Sequence, residues 1–374
     1  VPDAAIMGMR EILERYQRQG LYTHAWWGYG RLDEAKPLAV EAVLPDGRTV
    51  FDLASLTKAL VTTPLVFAGV ESGVIGLDRT VGACLEAARI DRRRELDPRL
   101  LGLSVRSLLA HRSGLPAWRN FWVRCGGGQA TETELRLPPA EAERALIAGL
   151  NRAAAALAPG PSPEQRYSDV GFLLMGLVLE WTNGRRLADS WADFSRDRLG
   201  IELKSLGLGY GVRWPGLAAT AVPTAFCPLR RRDLIGEVHD ENCAALGGEC
   251  AHAGIFGTGE ALGAYLHYLW KSPTGARLWA ANAEARATPT SGESHQKPSP
   301  NEGLCGWRQG GDPSSEPFGD GMAMGHMGFT GVAFWVRPER KDYSAFLTNR
   351  VMSGRMRPGI AAARREIFAA TQKL

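Results

Sequence analysis

Long hydrophobic runs are missing from this chain of 374 residues. No stretch of 18 or more apolar side chains occurs, so no segment reads as a membrane span. Strong charge of one sign is missing too. The formal net charge is +4, and the arginine runs Arg92–Arg94 and Arg230–Arg232 are flanked by acids and not interleaved with aromatics. Both runs therefore read as solvated surface, and no nucleic-acid partner is expected. Cysteine is sparse: Cys84, Cys125, Cys227, Cys243, Cys250 and Cys305 are scattered. That is not the dense framework of a small secreted domain, and it favours reduced thiols and a cytoplasmic location. Val1 opens the chain without methionine, and no charged-then-apolar leader follows it. A periplasmic or secreted home stays open if a leader was removed. No internal repeat is present. Lysine is scarce, since arginine supplies most of the 44 basic side chains.

What is present is ordinary for a soluble protein: 45% hydrophobic and 22% charged residues. The length exceeds what one core usually carries, which points to two structural regions. "DAAIMGMREILERYQRQ" has apolar side chains at helical spacing. "HAWWGYGRL" and "LAVEAVLPDGRTVFDLAS" read as strands, with Asp46-Gly47 as a hairpin signal. From about Leu60 to Leu203 the pattern is mostly helical. "VRSLLAHRSGLPAW" should be a helix stopped by Gly114 and Pro116, and "SDVGFLLMGLVLEWTNG" an apolar helix capped by Asn183-Gly184. Residues 205–260 and 285–321 read as loop-rich. "FTGVAFWVRPERKDYSAFLTNRV" then supplies two strands around a charged turn, and "IAAARREIFAATQK" a closing helix. Strands at both ends with helices between predict an α+β fold. Its antiparallel sheet would be built from N- and C-terminal strands, flanked by helices, with a mainly helical insertion. The expected division is 1–70 with 250–374, and 71–249 as the helical part.

One lysine stands in an unusual place. In "TVFDLASLTKALVTTPLVF", Ser55 and Lys58 sit where a strand gives way to an apolar helix. Positions three apart share a helix face, so the amine would reach the hydroxyl. An amine left uncharged by burial can take a serine proton, and a helix N-terminus supplies N–H groups for a developing oxyanion. The same residues equally suit a capping serine followed by a snorkelling lysine. A second copy of the spacing, Ser294 and Lys297, lies in a Ser/Pro-rich loop without an apolar helix behind it. Two further places carry candidate chemistry. Tyr167 and Asp169 precede an apolar helix, where a phenol near a lysine trades protons with it. Asp169 would otherwise cap that helix and Tyr167 pack over it. His326 and Gly328 stand just before a strand, and Gly328 allows close approach of a ligand or of another backbone.

Taken in order, Ser55-x-x-Lys58, Tyr167-x-Asp169 and His326-x-Gly328 resemble the three motifs of serine β-lactamases and penicillin-binding proteins. The resemblance is closest to the class C β-lactamase-like branch, which includes family VIII carboxylesterases and DD-peptidases. "FDLASLTK", "LLAHRSGLP", "YSDVGFLLMG", "GEVHDENCAALGG", "AHAGIFGTGEAL" and "GHMGFTG" extend it over about residues 26–350. It implies a β-lactamase/transpeptidase-like fold and a serine hydrolase working through an acyl-enzyme. In that scheme Ser55 is acylated and Lys58 accepts its proton. Tyr167 passes a proton to the leaving group and helps activate water. The N–H groups of Ser55 and Phe329 form the oxyanion hole. Asp169 and His326 stand where many relatives carry asparagine and lysine.

Met327 departs from the family pattern by replacing a threonine that grips a substrate carboxylate, and it cannot donate that bond. A charge-assisted hydrogen bond is worth about 1.5–3 kcal/mol, one to two decades in binding. Val332 is expected to extend an apolar lining, and Asp169 to repel a carboxylate. Weak handling of β-lactams and D-Ala-D-Ala peptides, and better handling of neutral esters or amides, is expected; Asn349 and Arg350 would partly restore carboxylate binding. Expected partners are thus small esters, amides or β-lactams, with cell-wall peptide as a further candidate. A true β-lactamase or DD-carboxypeptidase and a non-catalytic cell-wall-peptide binder are the alternatives. His239, Asp240, Cys243, Cys250 and His252 are residue types that zinc accepts, but their spacing matches no zinc pattern. No metal or cofactor is expected.

Overall fold

The computed structural model describes residues 3–121, 137–157, 165–287, 306–309 and 323–374. Ser294, Lys297, Cys125, Cys305 and most of the stretch 285–321 lie outside the described residues. Among the described residues, no helix is long and apolar enough to cross a membrane.

Eleven short strands are described. They are β1 (Ala25–Arg31), β2 (Ala39–Val43), β3 (Phe51–Asp52), β4 (Leu208–Tyr210), β5 (Ala225–Cys227), β6 (Arg232–Leu234), β7 (Ile255–Gly257), β8 (Arg308–Gln309), β9 (Met324–Met327), β10 (Ala333–Arg337) and β11 (Asp342–Thr348). Six of them form one antiparallel sheet in the order β2-β1-β11-β10-β9-β8. The two ends of the chain meet at its centre, where Ala25 opposes Thr348 and Arg31 opposes Asp342. The α+β expectation, with a sheet built from both termini, holds.

Alternation along β1 sends its tryptophans to opposite faces, as a period of two requires. Trp27 packs with Met9, Leu13, Phe346, Ile367 and Phe368, beneath the terminal helices Asp3–Arg18 and Ile360–Thr371. Its indole N–H reaches Ser344 Oγ at 3.1 Å and Thr371 Oγ1 at 3.0 Å, so the buried donor is satisfied. Trp26 belongs to the larger core on the other face. There the helix Gly259–Lys271 crosses so closely that a Cβ on Gly259 would stand 2.2 Å from the Trp26 ring. The helix Asp169–Asn183 is buried on nearly every side, as its unbroken apolar sequence requires, and Gly184 at φ +64° ends it.

Two expectations fail locally. Asp46-Gly47 makes a turn, with Gly47 at φ +73°, but not a hairpin. β2 pairs with β1, whereas β3 crosses into a separate sheet of order β3-β7-β4. The Asp46 carboxylate accepts from Arg48 N–H at 3.1 Å and meets His24 Nε2 at 2.8 Å, so the turn is tied to the sheet instead. The helix begun at Val105 ends at Leu109, before Gly114, because His111 adopts φ +56°.

Candidate active site

β3 is only two residues long, yet it delivers the chain to the site. Past Leu53 the backbone turns sharply through Ala54, which sits at φ +46° without being glycine, a strained conformation of the kind that clusters at functional sites. Lys58 N–H then bonds to Ser55 C=O at 3.1 Å, a tight three-residue turn. A π-helical turn, Lys58–Thr62, follows before the regular helix Thr63–Glu71. Such π turns recur at functional sites. Here Thr63 Oγ1 donates to Lys58 C=O at 2.9 Å and Tyr265 Oη to Leu60 C=O at 2.7 Å. Ser55 therefore stands just ahead of the helical segment that begins at Leu56, one turn before Lys58, as their spacing led one to expect.

Lys58 is fully buried, and its Nζ donates to Ser55 Oγ at 3.0 Å and to His252 C=O at 3.1 Å. Its third contact is the Asp169 carboxylate, 2.7 Å away. Burial pushes the ammonium down, but Asp169 and Tyr167 together outweigh it and the net shift is upward. Burial alone would favour the neutral amine expected from the sequence, whereas the Asp169 carboxylate beside it favours the ammonium. Ser168, not Asp169, caps the helix, accepting from Gly171 N–H at 3.0 Å. That leaves the Asp169 side chain for Lys58. Its charge is compensated there, so the expected repulsion of a carboxylate is blunted.

Tyr167 stands over the pair, with Lys58 Nζ 5.0 Å from its ring centroid, and Lys58 and Ser55 both act on its phenol. Burial raises the phenol and Lys58 lowers it, leaving it above its ordinary value and protonated near neutrality. Behind Tyr167 lies the His111 ring, 4.5 Å away, whose Nδ1 accepts from Ser168 N–H at 3.1 Å. Sequence reasoning missed His111; its signal was a histidine inside "LLAHRSGLP" at the point where a helical pattern breaks.

Ser55, Tyr167, Asp169, Gly328 and Phe329 line one cleft of about 580 Å³, with Trp118 and Met327 on its walls. His326 is fully buried on β9, its ring 6.1 Å from that of Tyr167 and its Nδ1 2.8 Å from Met327 C=O. It backs the site without lining the cleft. Gly328 is sterically required, since a Cβ there would lie 2.4 Å from Val332 Cγ2 and 3.1 Å from Leu53 C=O. Val332 is core beneath Gly328, not cleft lining as expected. Phe329 is exposed, stacked on His239 at 5.4 Å. Among the described residues, neither Ser55 N–H nor Phe329 N–H donates a hydrogen bond. Both amides can therefore receive an oxyanion.

Asn349 is buried and committed elsewhere: its oxygen accepts from Thr23 and His24 N–H, and its amide donates to Thr23 Oγ1 and Pro223 C=O. It does not line the cleft. Arg350 does, half-buried with its guanidinium 4.8 Å above the Phe329 ring, and no carboxylate among the described residues pairs with it. Among the described residues, no group of three or more His, Cys, Asp and Glu side chains is placed to hold a metal ion, and the zinc-type residues make other contacts. Asp240 meets His252 Nε2 at 2.8 Å, Cys243 Sγ donates to Ala253 C=O at 3.2 Å, and His239 faces Phe329.

The chain matches the family model described as Beta-lactamase over residues 15–368. It is 26% identical over 341 residues to an N-acetylmuramyl-L-alanine amidase of Bacillus subtilis (strain 168), covering 87% of this chain and 74% of that protein. Among solved structures it resembles the D-amino acid amidase of Ochrobactrum anthropi SV3, with a TM-score of 0.66, 16% identity and 99% of both chains covered. It also resembles a class C beta lactamase from Rhodobacter sphaeroides, with a TM-score of 0.63, 15% identity, and 98% of this chain and 99% of that one covered. A match of that extent, on a sheet assembled from both chain ends, means that the chain belongs to the beta-lactamase family, within the serine β-lactamase and penicillin-binding-protein-like superfamily of serine hydrolases.

Proposed function

We propose that the protein hydrolyses small esters or amides through an acyl-enzyme on Ser55 and handles β-lactams poorly. The observation that carries this reading is the 3.0 Å contact between Ser55 Oγ and Lys58 Nζ at a cleft that also presents two unpaired amides. Lys58 and Asp169 are 2.7 Å apart, so one proton moving from ammonium to carboxylate converts the ion pair into a neutral pair. The amine then accepts the Ser55 proton as Oγ attacks the carbonyl. The oxyanion settles on the Ser55 and Phe329 N–H groups. Tyr167 gives its phenolic proton to the departing oxygen or nitrogen and regains one from the Lys58–Asp169 pair. Water enters by the reverse proton path and releases the acid, restoring Ser55.

The preference against β-lactams rests on Met327, which offers no hydroxyl to a substrate carboxylate. One observation favours a second reading, hydrolysis of carboxylate-bearing amides such as a peptide C-terminus: the Arg350 guanidinium in the cleft, which donates to Arg355 C=O at 3.0 Å but meets no carboxylate among the described residues. The test is labelling by a fluorophosphonate probe read by intact-protein mass spectrometry, with kinetics on p-nitrophenyl butyrate and nitrocefin. Labelling that vanishes in Ser55→Ala, with higher kcat/KM on the ester, is expected. Folded protein that neither a fluorophosphonate nor a fluorescent penicillin labels would instead be a binder. A higher kcat/KM on nitrocefin would make it a β-lactamase.

A further inference from the structure

Two turns supply the amides assigned above to the oxyanion, and both are anchored on Asp52, a residue to which the reading of the motifs gave no role. Asp52 is almost fully buried at the end of β3. One carboxylate oxygen accepts from Ala54 N–H at 2.8 Å, inside the strained turn that presents Ser55. The other accepts from His239 N–H at 2.7 Å, and the His239 ring stacks on Phe329. The Asp52 backbone carbonyl accepts from Thr330 Oγ1 at 2.8 Å, one residue past Phe329.

We propose that Asp52 is the positioning residue of the oxyanion site: it ties the Ser55 turn, the Phe329 turn and the His239 loop to one point. This rests on the reading of Ser55 as the acylated residue. A left-handed alanine relaxes unless something holds its amide, and the Asp52 carboxylate is what holds it. Carboxylate chemistry is needed because both of its partners are donors. An asparagine would turn one of its two ends into a donor facing another N–H. Asp52 never touches substrate; it acts by setting where the two amides point. Geometry matters here because donors stabilise an oxyanion only when aimed at the place it will occupy.

The test compares Asp52→Asn, Thr330→Val and Thr330→Ser after the active serines have been counted with the fluorophosphonate probe. Asp52→Asn should lower kcat per active serine on p-nitrophenyl butyrate by about ten- to a hundredfold, with KM little changed. A boronic acid, which becomes a tetrahedral anion on a serine, should bind more weakly by a similar factor. Thr330→Val should show the same pattern to a lesser degree, and Thr330→Ser should restore it. Wild-type kcat and boronate affinity in labelled Asp52→Asn overturn the proposal, as does a lowered melting temperature with kcat per active serine intact. Should Asp52→Asn not fold, Thr330→Val decides alone, and wild-type behaviour there overturns the role. Absence of labelling in the folded wild-type protein overturns the Ser55 reading itself, and the positioning role with it.

Discussion

Asp169→Asn separates the two forces acting on Lys58. In the native site burial opposes the ammonium and the carboxylate at 2.7 Å sustains it. At an effective dielectric of about 20, two unit charges at that separation attract by about 6 kcal/mol. Asparagine has nearly the same shape and still offers an oxygen, so the charge is removed without a cavity. Burial then acts nearly unopposed, and Lys58 should lose its proton at a lower pH than in the native protein. Two results follow. The rising limb of the pH profile for fluorophosphonate acylation of Ser55 should move toward acid. Stability should also change sign of dependence. A lysine whose folded pKa is raised contributes stability that is complete below its unfolded pKa and lost as pH rises through the folded one. That alkaline loss, seen in the native protein by thermal melts, should disappear in Asp169→Asn. The variant should be less stable near neutrality by up to about 3–5 kcal/mol, the cost of breaking a buried pair, with deprotonation relieving part of it. An acylation profile that coincides with the native one, or moves toward alkali, refutes the account of Lys58 as an ammonium held by Asp169.

The remaining predictions concern the cleft wall and its supports. Gly328→Ala should lose most activity and about 1–3 kcal/mol of stability, measured by kcat and thermal melts, because its Cβ would overlap Val332 and press on Leu53 C=O. Arg350→Gln should weaken binding of a carboxylate-bearing amide by about ten- to a hundredfold, leaving p-nitrophenyl butyrate nearly unaffected; KM for the two substrates checks this. The Asp52 carboxyl is pushed up to about 6, chiefly by burial, with Asp240 adding to it and the His239 and Ala54 amides and Arg230 opposing. Activity should therefore fall as pH drops through about 6. Since the folded pKa is the raised one, protonation there favours the native state, so melting temperatures should not show a matching loss from this group.

Local chemistry was legible in the sequence because it depends on neighbours along the chain. The Ser55–Lys58 pairing needs only one turn, and either a helical or a tighter turn brings the two together. The helix Asp169–Asn183 needs only an unbroken apolar run and a terminal glycine. The sheet joining both ends was legible from alternating, aromatic-rich segments at either end with helices between. What the sequence could not determine is which charge lands beside which. Lys58 and Asp169 belong to different helices, and only their packing decides that a buried amine keeps its proton. Likewise Asn349 and Arg350 are adjacent in sequence, yet one is consumed in tying Thr23, His24 and Pro223 together and the other faces the cleft. Asp46-Gly47 makes its turn as written, but β2 pairs back with the preceding β1 while β3 pairs with the distant β7, so tertiary pairing overrode the hairpin. Conformational preference and periodicity act over a few residues. Protonation state, cleft lining and the anchoring of both amides on Asp52 arise from contacts between distant segments, which exist only once the chain has packed.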